Sequence, residues 1–426
     1  MKRSKPRAAY RSIAGAAIIF AFGYAFIPSL LQVTLGSRPV AQLGETFAQT
    51  SLSATSQAIL QALVVVTMAA AFVHDALRRT FRFPRWLWLY LAPCAAVAVS
   101  SYIASHTVGV AVIIYALIGI LIASYDDPIR LIRLIGRLTV VIAVVSIAMG
   151  ILLPSVALMS QAGVPDAKAF IGDTLLVGPT YHPNNLGQTL ALGLPTVLLL
   201  EKARSRAISV AIVLFGLLWT GSRTGLTAGI LGLLVAGIWY VLTHRTDFLA
   251  RVLLIGIYVA VIPITFLLVL LNNDPAAYSG RGYIWSRSLE FAHGNPILGF
   301  GVDVYYRISE SQSNFGALAY HGHNMAVNTL LLAGGVGLAA LVVLWLVMLR
   351  HSWRLGRLGY WALTPWPVTF VVLGWLESPT NFYSFSYISW VAWPMLALSL
   401  SSPRKLESAS ASIARSTTTV PTMAGS

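Results

Sequence analysis

Long apolar runs separated by short polar segments extend over most of the chain. Runs long enough to cross a bilayer are predicted near 14–34, 55–77, 86–104, 107–124, 137–158, 183–200, 206–220, 224–242, 250–271, 323–349, 361–377 and 385–400. A helix needs about 20 mostly apolar residues to cross the hydrocarbon core, so the pattern predicts an all-α fold, a polytopic transmembrane helical bundle of about 12 spans. We expect an integral membrane domain over residues 1–400 and a disordered cytoplasmic tail over 401–426, where Ser, Thr and Ala dominate.

Two connections, 159–182 and 272–322, are longer than the others and lie on the same predicted side of the membrane. Their glycine, proline, aromatic and polar residues predict packed loops that carry short helices. The second connection, between spans 9 and 10, is expected to form a loop subdomain on the non-cytoplasmic face. The basic segment before residues 14–34 is also typical of a signal peptide, but this apolar run has no clear cleavage site and favours a retained span.

Composition and charge exclude a water-soluble globule. The chain is 57% hydrophobic and 10% charged, with a net charge of +15 and a single cysteine, so no disulfide framework is expected. A nucleic-acid binder would gather its basic residues on a soluble surface, whereas these lie in clusters between apolar runs. Alternating the spans from a cytoplasmic amino terminus leaves few basic residues outside, as the positive-inside rule requires. Those outside are Arg38, Lys168, Arg223, Arg281, Arg287 and Arg307.

Arg223 lies in the turn TGSRTG (220–225) between two predicted spans. An arginine at membrane depth costs on the order of 2.5–3.5 kcal/mol on insertion scales, so it needs a partner. One interpretation is snorkelling to lipid headgroups, and the other is a binding site for an anion. Ser222 and the neighbouring glycines favour the site, because they allow backbone donors to approach a phosphate closely.

A second arginine follows a glycine in the segment SGRGYIWSRSLEFAHGNPILGFGVD (279–303). Its apolar stripe predicts an amphipathic helix along the outer membrane surface, with Trp285 as an interfacial anchor. Arg281, beside a glycine-rich turn, suits bidentate phosphate recognition, and Arg287 on another face is a further candidate for substrate binding. The sequence NPILGFG (295–301) predicts a turn that folds the loop back over the membrane.

Two histidines precede the tenth span in YHGHN (320–324). An imidazole titrates near neutral pH, so His323 is a candidate general base on a sugar hydroxyl, with His321 as the alternative. Asn324 is expected to orient His323 or to bind a substrate hydroxyl. No metal site is predicted, because residues i and i+2 do not share a helix face.

Weaker candidates lie at the same predicted surface. Tyr181, His182 and Asn184, in PTYHPNNLG (179–187), open the sixth span, and Tyr181 and Asn184 are candidate substrate contacts. Asp173 and Glu377 are outer-side acids, and Glu377 is expected to pair with an arginine.

Arg223, Arg281 and His323 come from distant parts of the sequence, yet the predicted topology places them at one membrane surface. Two cations can hold a diphosphate, and a base can activate a hydroxyl. These are the groups that glycosyl transfer from a lipid diphosphate needs, because the leaving group is already activated and requires charge stabilisation. The sequence therefore favours an enzyme that receives its substrate laterally from the membrane.

At these residues the chain resembles the O-antigen ligase and polymerase superfamily of bacterial envelope enzymes. The matching motifs, spread over residues 180–340, are YHPNNLG, SRTG (222–225), the Gly-Arg pair four residues before Trp285, N-P-x-x-G-x-G (295–301), and His323-Asn324 before a glycine-rich span. The resemblance implies a metal-independent, inverting glycosyltransferase without a cofactor. It also implies that Arg223 and Arg281 engage the diphosphate of an undecaprenyl-diphosphate-linked saccharide and that His323 assists the acceptor hydroxyl.

The resemblance further implies a bacterial inner membrane protein with both termini cytoplasmic, acting at the periplasmic face among membrane lipids. A polymerase that extends lipid-linked repeats into exopolysaccharide or O antigen is the leading hypothesis, with flippase and chain-length regulator proteins as partners. A ligase that attaches O antigen to lipid A core is the alternative within this class. A transporter or flippase for lipid-linked saccharides is the alternative outside it, although the sequence shows neither clear midplane charges nor two related halves. No nucleic-acid partner is expected.

Overall fold

A computed structural model describes residues 5–36, 49–77, 83–161, 168–311 and 321–401 of the chain. Within these ranges the protein is almost entirely helical. The helices are α1 (Lys5–Leu35), α2 (Ser51–Leu77), α3 (Arg85–Ser105), α4 (Val110–Ser124), α5 (Pro128–Leu152), α6 (Pro154–Ala157), α7 (Pro183–Val197), α8 (Ala203–Trp219), α9 (Arg223–His244), α10 (Phe248–Leu270), α11 (Ala277–Ala292), α12 (Val304–Ser311), α13 (Met325–Arg357), α14 (Pro365–Leu373) and α15 (Ser389–Leu400). The predicted all-α helical bundle is confirmed. The predicted tail lies outside the described residues except for Ser401.

Every predicted span coincides with a helix, but the helices differ in length. Seven of those described, α1 to α3, α5, α9, α10 and α13, are long and apolar enough to cross a membrane. The helices α4, α7, α8, α14 and α15 are shorter, and α14 has nine residues. A rise of about 1.5 Å per residue makes such helices shorter than the hydrocarbon core. The structure therefore supports a multi-pass protein in which several predicted spans are partly non-helical.

Three of the short helices, α7, α14 and α15, form the centre of the bundle. Nearly every residue of α7, α14 and α15 is buried, whereas α2 and α10 expose most of their apolar side chains. Helix α7 packs against α5, α8 and α9, and α14 packs against α9. Irregular backbone inside a membrane is tolerated where protein surrounds it. A central position thus explains how the backbone polar groups of these short helices, and of the chain that follows them, can form hydrogen bonds within the protein.

The two long connections adopt different structures. The stretch 272–322 carries α11 and α12, as expected, while residues 312–320 lie outside the described part of the chain. The stretch 159–182 was expected to carry short helices, and its described residues, 159–161 and 168–182, contain none. It contributes an antiparallel pair of short strands, β1 (Leu158–Ser160) and β2 (Thr174–Leu176), with Leu158 opposite Leu176.

Helix α13 is broken where the 295–301 turn packs against it. Gly334 has φ 61° and ψ −163°, and a side chain there would collide with the carbonyl of Ile297. The backbone amides of Gly335 and Val336 donate to the carbonyls of Pro296 and Ile297, at 2.7 and 3.2 Å. The predicted turn is therefore confirmed. It docks on the break in α13 and satisfies the backbone groups that the break releases.

Candidate functional site

The Arg223 turn connects α8 to α9. Gly221 has φ 62°, and a side chain on it would lie 2.7 Å from the carbonyl oxygen of Lys168, so the loop that carries Lys168 packs directly on this turn. The Ser222 hydroxyl accepts a hydrogen bond from the Gly225 amide and caps α9. Arg223, the first residue of α9, has an exposed side chain.

Lys168 joins the arginines in one positive region. Burial lowers the pKa of this half-buried amine, and the charges of Arg281 and Arg223 lower it further. A fold that holds three cations this close favours binding of an anion, because the anion relieves their repulsion. Sequence reasoning missed Lys168 as a site residue, although it was one of the few basic residues predicted on the outer side.

Glu377 lies at the centre of the site, after the end of α14. Its Oε1 atom forms an ion pair with Arg281, whose side chain is 14% exposed while that of Glu377 is 4% exposed. The same oxygen accepts a hydrogen bond from Asn184 Nδ2 at 3.1 Å. The expectation that Glu377 pairs with an arginine is confirmed. The pair is buried, and it joins α7, α11 and the segment after α14.

The charge on Glu377 is stabilised by its neighbours. Burial by itself would raise the pKa of this carboxyl, but the His323 imidazole and the Arg281 charge outweigh burial and hold the pKa below its usual range. The Nδ1 atom of His323 lies 3.6 Å from Glu377 Oε2. Glu377 is therefore ionised at neutral pH, between a guanidinium and an imidazole.

The histidines lie in a turn before α13 that several contacts hold in place. Trp285 Nε1 donates to the Gly322 carbonyl at 3.1 Å, and the Gly322 amide donates to Asn328 Oδ1 at 3.1 Å. His323 has φ 44°, in the left-handed region that non-glycine residues rarely adopt. Such strain persists only where surrounding contacts enforce it, and it concentrates at functional sites. The interfacial role predicted for Trp285 is wrong, because its side chain is 1% exposed and packs inside the protein.

The two histidines differ in their hydrogen bonds. The His323 amide donates to His321 Nδ1 at 3.0 Å, so His321 is neutral with its proton on Nε2. Burial lowers the pKa of His321 to about 3, and the neighbouring His323 lowers it as well. His321 is thus a poor base at neutral pH. This geometry favours His323, beside the ionised Glu377, as the base.

Three predicted substrate contacts have other partners. Asn324 is fully buried. Its Oδ1 atom accepts hydrogen bonds from the amides at the start of α13, and its Nδ2 atom donates to the carbonyls of Thr265 and Trp375. Both ends of the side-chain amide are therefore occupied. Asn324 and Ser222 are thus helix-capping residues in this structure, and a contact of either with substrate stays a prediction. Arg287 pairs with Glu290 at 2.7 Å and lies over the Tyr283 ring, apart from the cluster.

Of the weaker candidates, Asn184 reaches the cluster directly through Glu377. Tyr181 lies beside it and contacts the Tyr387 ring edge-on, with ring centroids 5.7 Å apart. No described contact links Asp173 to the cluster. Its carbonyl accepts a hydrogen bond from the Gln161 amide, beside the two short strands of the loop.

The prediction of no metal site assumed that His321 and His323 lie on a helix, and this assumption is wrong because the helix begins at Met325. His321 and His323 precede the helix, their ring centroids are 4.0 Å apart, and their ligand atoms lie within 4.8 Å of those of Glu377. Arg281, however, already neutralises the same carboxylate and would repel a cation bound there. The donor set is therefore better matched to proton transfer than to metal coordination.

Residues 208–342 match a family model described as O-antigen ligase. The matched segment contains Arg223, Arg281 and His323, whereas Lys168 and Glu377 lie outside it. The match confirms the resemblance to the O-antigen ligase and polymerase superfamily. This family implies a glycosyl-transferring membrane enzyme with lipid-linked saccharide substrates. A comparison with curated proteins finds no match.

Proposed function

We propose that this chain, which carries an O-antigen ligase domain, polymerises undecaprenyl-diphosphate-linked oligosaccharide repeats into exopolysaccharide or O antigen. The observation that supports this most is that Arg281 and His323 both contact Glu377, while the charges of Arg281 and Arg223 act on the nearby Lys168. It combines a binding site for a diphosphate with a base for a hydroxyl, and both are needed in one transfer step.

In the proposed reaction, Arg281, Arg223 and Lys168 bind the diphosphate of the donor. The acceptor hydroxyl attacks the anomeric carbon of the donor sugar, and the bond from that carbon to the diphosphate oxygen breaks. His323 takes the proton of the hydroxyl, and the lipid diphosphate leaves with the bonding electron pair. The cations stabilise the charge that develops on the leaving oxygen, so the reaction is independent of a metal and inverts the anomeric centre.

Glu377 has two roles in this proposal. Before the donor binds, it neutralises Arg281, which would otherwise be an isolated charge in a buried site. During transfer, it stabilises the imidazolium that forms when His323 takes the proton, because its Oε2 atom lies 3.6 Å from Nδ1. The diphosphate must therefore compete with Glu377 for Arg281.

We place the reaction at the periplasmic face of the bacterial inner membrane, with both termini cytoplasmic. This orientation rests on the positive-inside distribution of the basic residues. Flippase and chain-length regulator proteins are proposed as partners, because the repeats must be delivered to this face and the length of the polymer controlled.

The ligase remains the second candidate, and the description of the matched family favours it. Its chemistry at the cluster would be the same, with lipid A core as acceptor. The transporter hypothesis gains little from the break in α13, because the 295–301 turn packs against that break and satisfies its backbone. Broken transporter helices instead direct such groups at their substrate.

The test is the surface polysaccharide of a deletion strain complemented at matched membrane levels with wild type, Arg223→Ala, Arg281→Ala or His323→Ala. Arg204→Ala, an exposed arginine at the start of α8, is the control and should restore polymer fully. Under the proposal the deletion strain accumulates lipid-linked single repeats, and the three site variants fail to restore polymer. If the deletion strain instead makes polymer that is not attached to lipid A core, the result would indicate the ligase. Full rescue by all three variants would contradict the proposed site.

A further inference from the structure

A cavity of about 450 Å³ lies beside the charged cluster. Its walls come from α1, the start of α2, α7, and the segment between α14 and α15. His321 forms part of the wall, and the His321 and His323 rings are 4.0 Å apart. The cavity therefore ends at the histidine turn, within the volume range of about 300–1,000 Å³ typical of ligand sites.

The cavity is polar and, over its described lining, carries no Lys, Arg, Asp or Glu. Besides serine and tyrosine hydroxyls it contains five amide side chains, those of Gln49, Gln57, Asn185, Gln188 and Asn381. An amide offers both donors and an acceptor, which is what a ligand made of hydroxyl groups requires. A phosphate would instead select cations, and a lipid tail would select an apolar wall.

Aromatic rings complete the wall. Tyr181 and Tyr387 form an edge-on pair, and the rings of Tyr24 and Phe385 have centroids 4.9 Å apart. Their faces can cover the apolar C–H faces of a sugar ring while amides bind its hydroxyls. This combination of rings and amides distinguishes a saccharide from other polar ligands.

Three buried polar atoms at this wall have no hydrogen-bond partner among the described residues. They are Gln188 Oε1, Ser378 Oγ and Asn381 Oδ1. Gln188 is 4% exposed and Ser378 is 7% exposed. Buried polar groups are nearly always paired, because an unmade hydrogen bond retains the full desolvation cost. Three such residues in one wall retain hydrogen-bonding capacity that a ligand with several hydroxyl groups could use.

We infer that this cavity binds the uncharged end of the acceptor saccharide and directs one of its hydroxyls to the histidine turn. The inference rests on the proposed function and adds the class of substrate that is bound at this second site. Lys168, Arg223, Arg281 and Glu377 do not line the cavity, so the proposed site for the donor diphosphate is separate from it. His321, with its proton on Nε2, contributes a donor to the acceptor side.

The test uses Gln188→Leu, with Gln61→Leu as the matched control. Gln61 lies half-buried on α2 and does not line the cavity. Leucine keeps most of the volume and removes an unpaired buried oxygen, so Gln188→Leu should unfold at the same temperature as wild type or higher. Its failure to bind would then not reflect failure to fold.

The probe is the neutral oligosaccharide released by mild acid from the lipid-linked repeats of the producing cells. Binding to the full-length protein in detergent is measured by titration calorimetry. We expect wild type and Gln61→Leu to bind it, with Kd raised about tenfold or more in Gln188→Leu, the effect of losing about 1.4 kcal/mol of binding free energy. Equal Kd values for wild type and Gln188→Leu would overturn the inference and leave a cavity that holds water only.

Two further titrations separate this inference from the proposed function. Inorganic pyrophosphate, a probe of the cationic cluster, should not displace the oligosaccharide. Displacement would assign the cavity to the donor and overturn the acceptor role. Arg281→Ala should still bind the oligosaccharide, even though it should not restore polymer. Oligosaccharide binding combined with full polymer rescue by Arg281→Ala would refute the proposed function while leaving the saccharide site in place.

Discussion

The charged cluster and the neutral cavity are neighbours that meet at His321, yet they satisfy their polar groups in opposite ways. In the cluster, Glu377 already holds Arg281, Asn184 and His323 around its carboxylate. In the cavity, Gln188 and other buried polar atoms have no partner among the described residues.

The difference follows from the size of the desolvation cost. A buried charge without a counter-charge is far more costly than a buried amide without a partner, so the cluster must be neutralised before substrate arrives. The cavity can leave amide groups for its ligand. The comparison predicts that cluster variants alter the chemistry of transfer, whereas cavity variants alter acceptor binding.

The largest effect should separate the two histidines. His323→Ala should lower the transfer rate by about 10²–10⁴-fold, the range for a lost general base. His321→Asn should retain most of the rate, because the asparagine oxygen can replace Nδ1 as acceptor of the His323 amide. The measurement is the rate of polymer formation from isolated lipid-linked repeats in membranes. If His321→Asn loses as much as His323→Ala, the roles of the histidines are reversed.

Glu377→Gln should act on the cluster in two opposing directions. It frees Arg281 from its counter-charge, so the KM for the lipid-linked donor should fall. It also removes the charge that stabilises protonated His323, so kcat should fall by about tenfold or more. A purely structural role would instead lower the amount of folded protein and leave KM and kcat unchanged. Size-exclusion profiles in detergent provide the control for folding.

Asn324→Ala should destabilise the fold by about 1–2 kcal/mol, because it removes the cap of α13. Thermal unfolding of the detergent-solubilised protein measures this loss. Asn272→Ala, at a partly buried asparagine in the loop before α11 with a single side-chain hydrogen bond, is the matched control and should change stability less. Unchanged stability in Asn324→Ala would mean that its four hydrogen bonds are replaced by others.

The pH dependence of stability should reveal His321. Its pKa is about 3 in the folded protein and near 6.5 when unfolded, so below pH 6.5 the unfolded state binds a proton that the folded state does not. Stability should fall as the pH is lowered from 6.5, by at most about 1.4 kcal/mol per pH unit from this group. The wild-type slope between pH 6.5 and 5 should exceed that of His321→Asn, in which the group cannot titrate. Parallel slopes would show that folding does not lower the pKa of His321.

The smallest expected effect is that of metal removal. Arg281 occupies the carboxylate that a metal would need, so extensive treatment with EDTA should leave the rate of polymer formation unchanged. Restoration of a lost activity by a divalent cation would show that His321, His323 and Glu377 coordinate a metal.

The sequence by itself determined the helical membrane fold, because apolar runs of spanning length have no other stable arrangement in lipid. It also predicted Arg223, Arg281 and His323 as candidate site residues, since charged and titratable residues at a membrane surface need a partner, and Arg281 and His323 do meet at Glu377. It could not distinguish Ser222 and Asn324, whose polar side chains cap helices, from substrate contacts. Local sequence gives the residue type, and the same type serves both purposes.

Only the tertiary structure decided the composition of the site. Lys168 and Glu377 are separated from Arg281 by long stretches of chain, and hydropathy carries no information on which loops pack together. The break in α13, the burial of Trp285 and the neutral cavity likewise depend on contacts between distant segments. Charge neutralisation and hydrogen bonding in a buried site are settled by proximity in space, so the fold had to bring these residues together before their chemistry could be recognised.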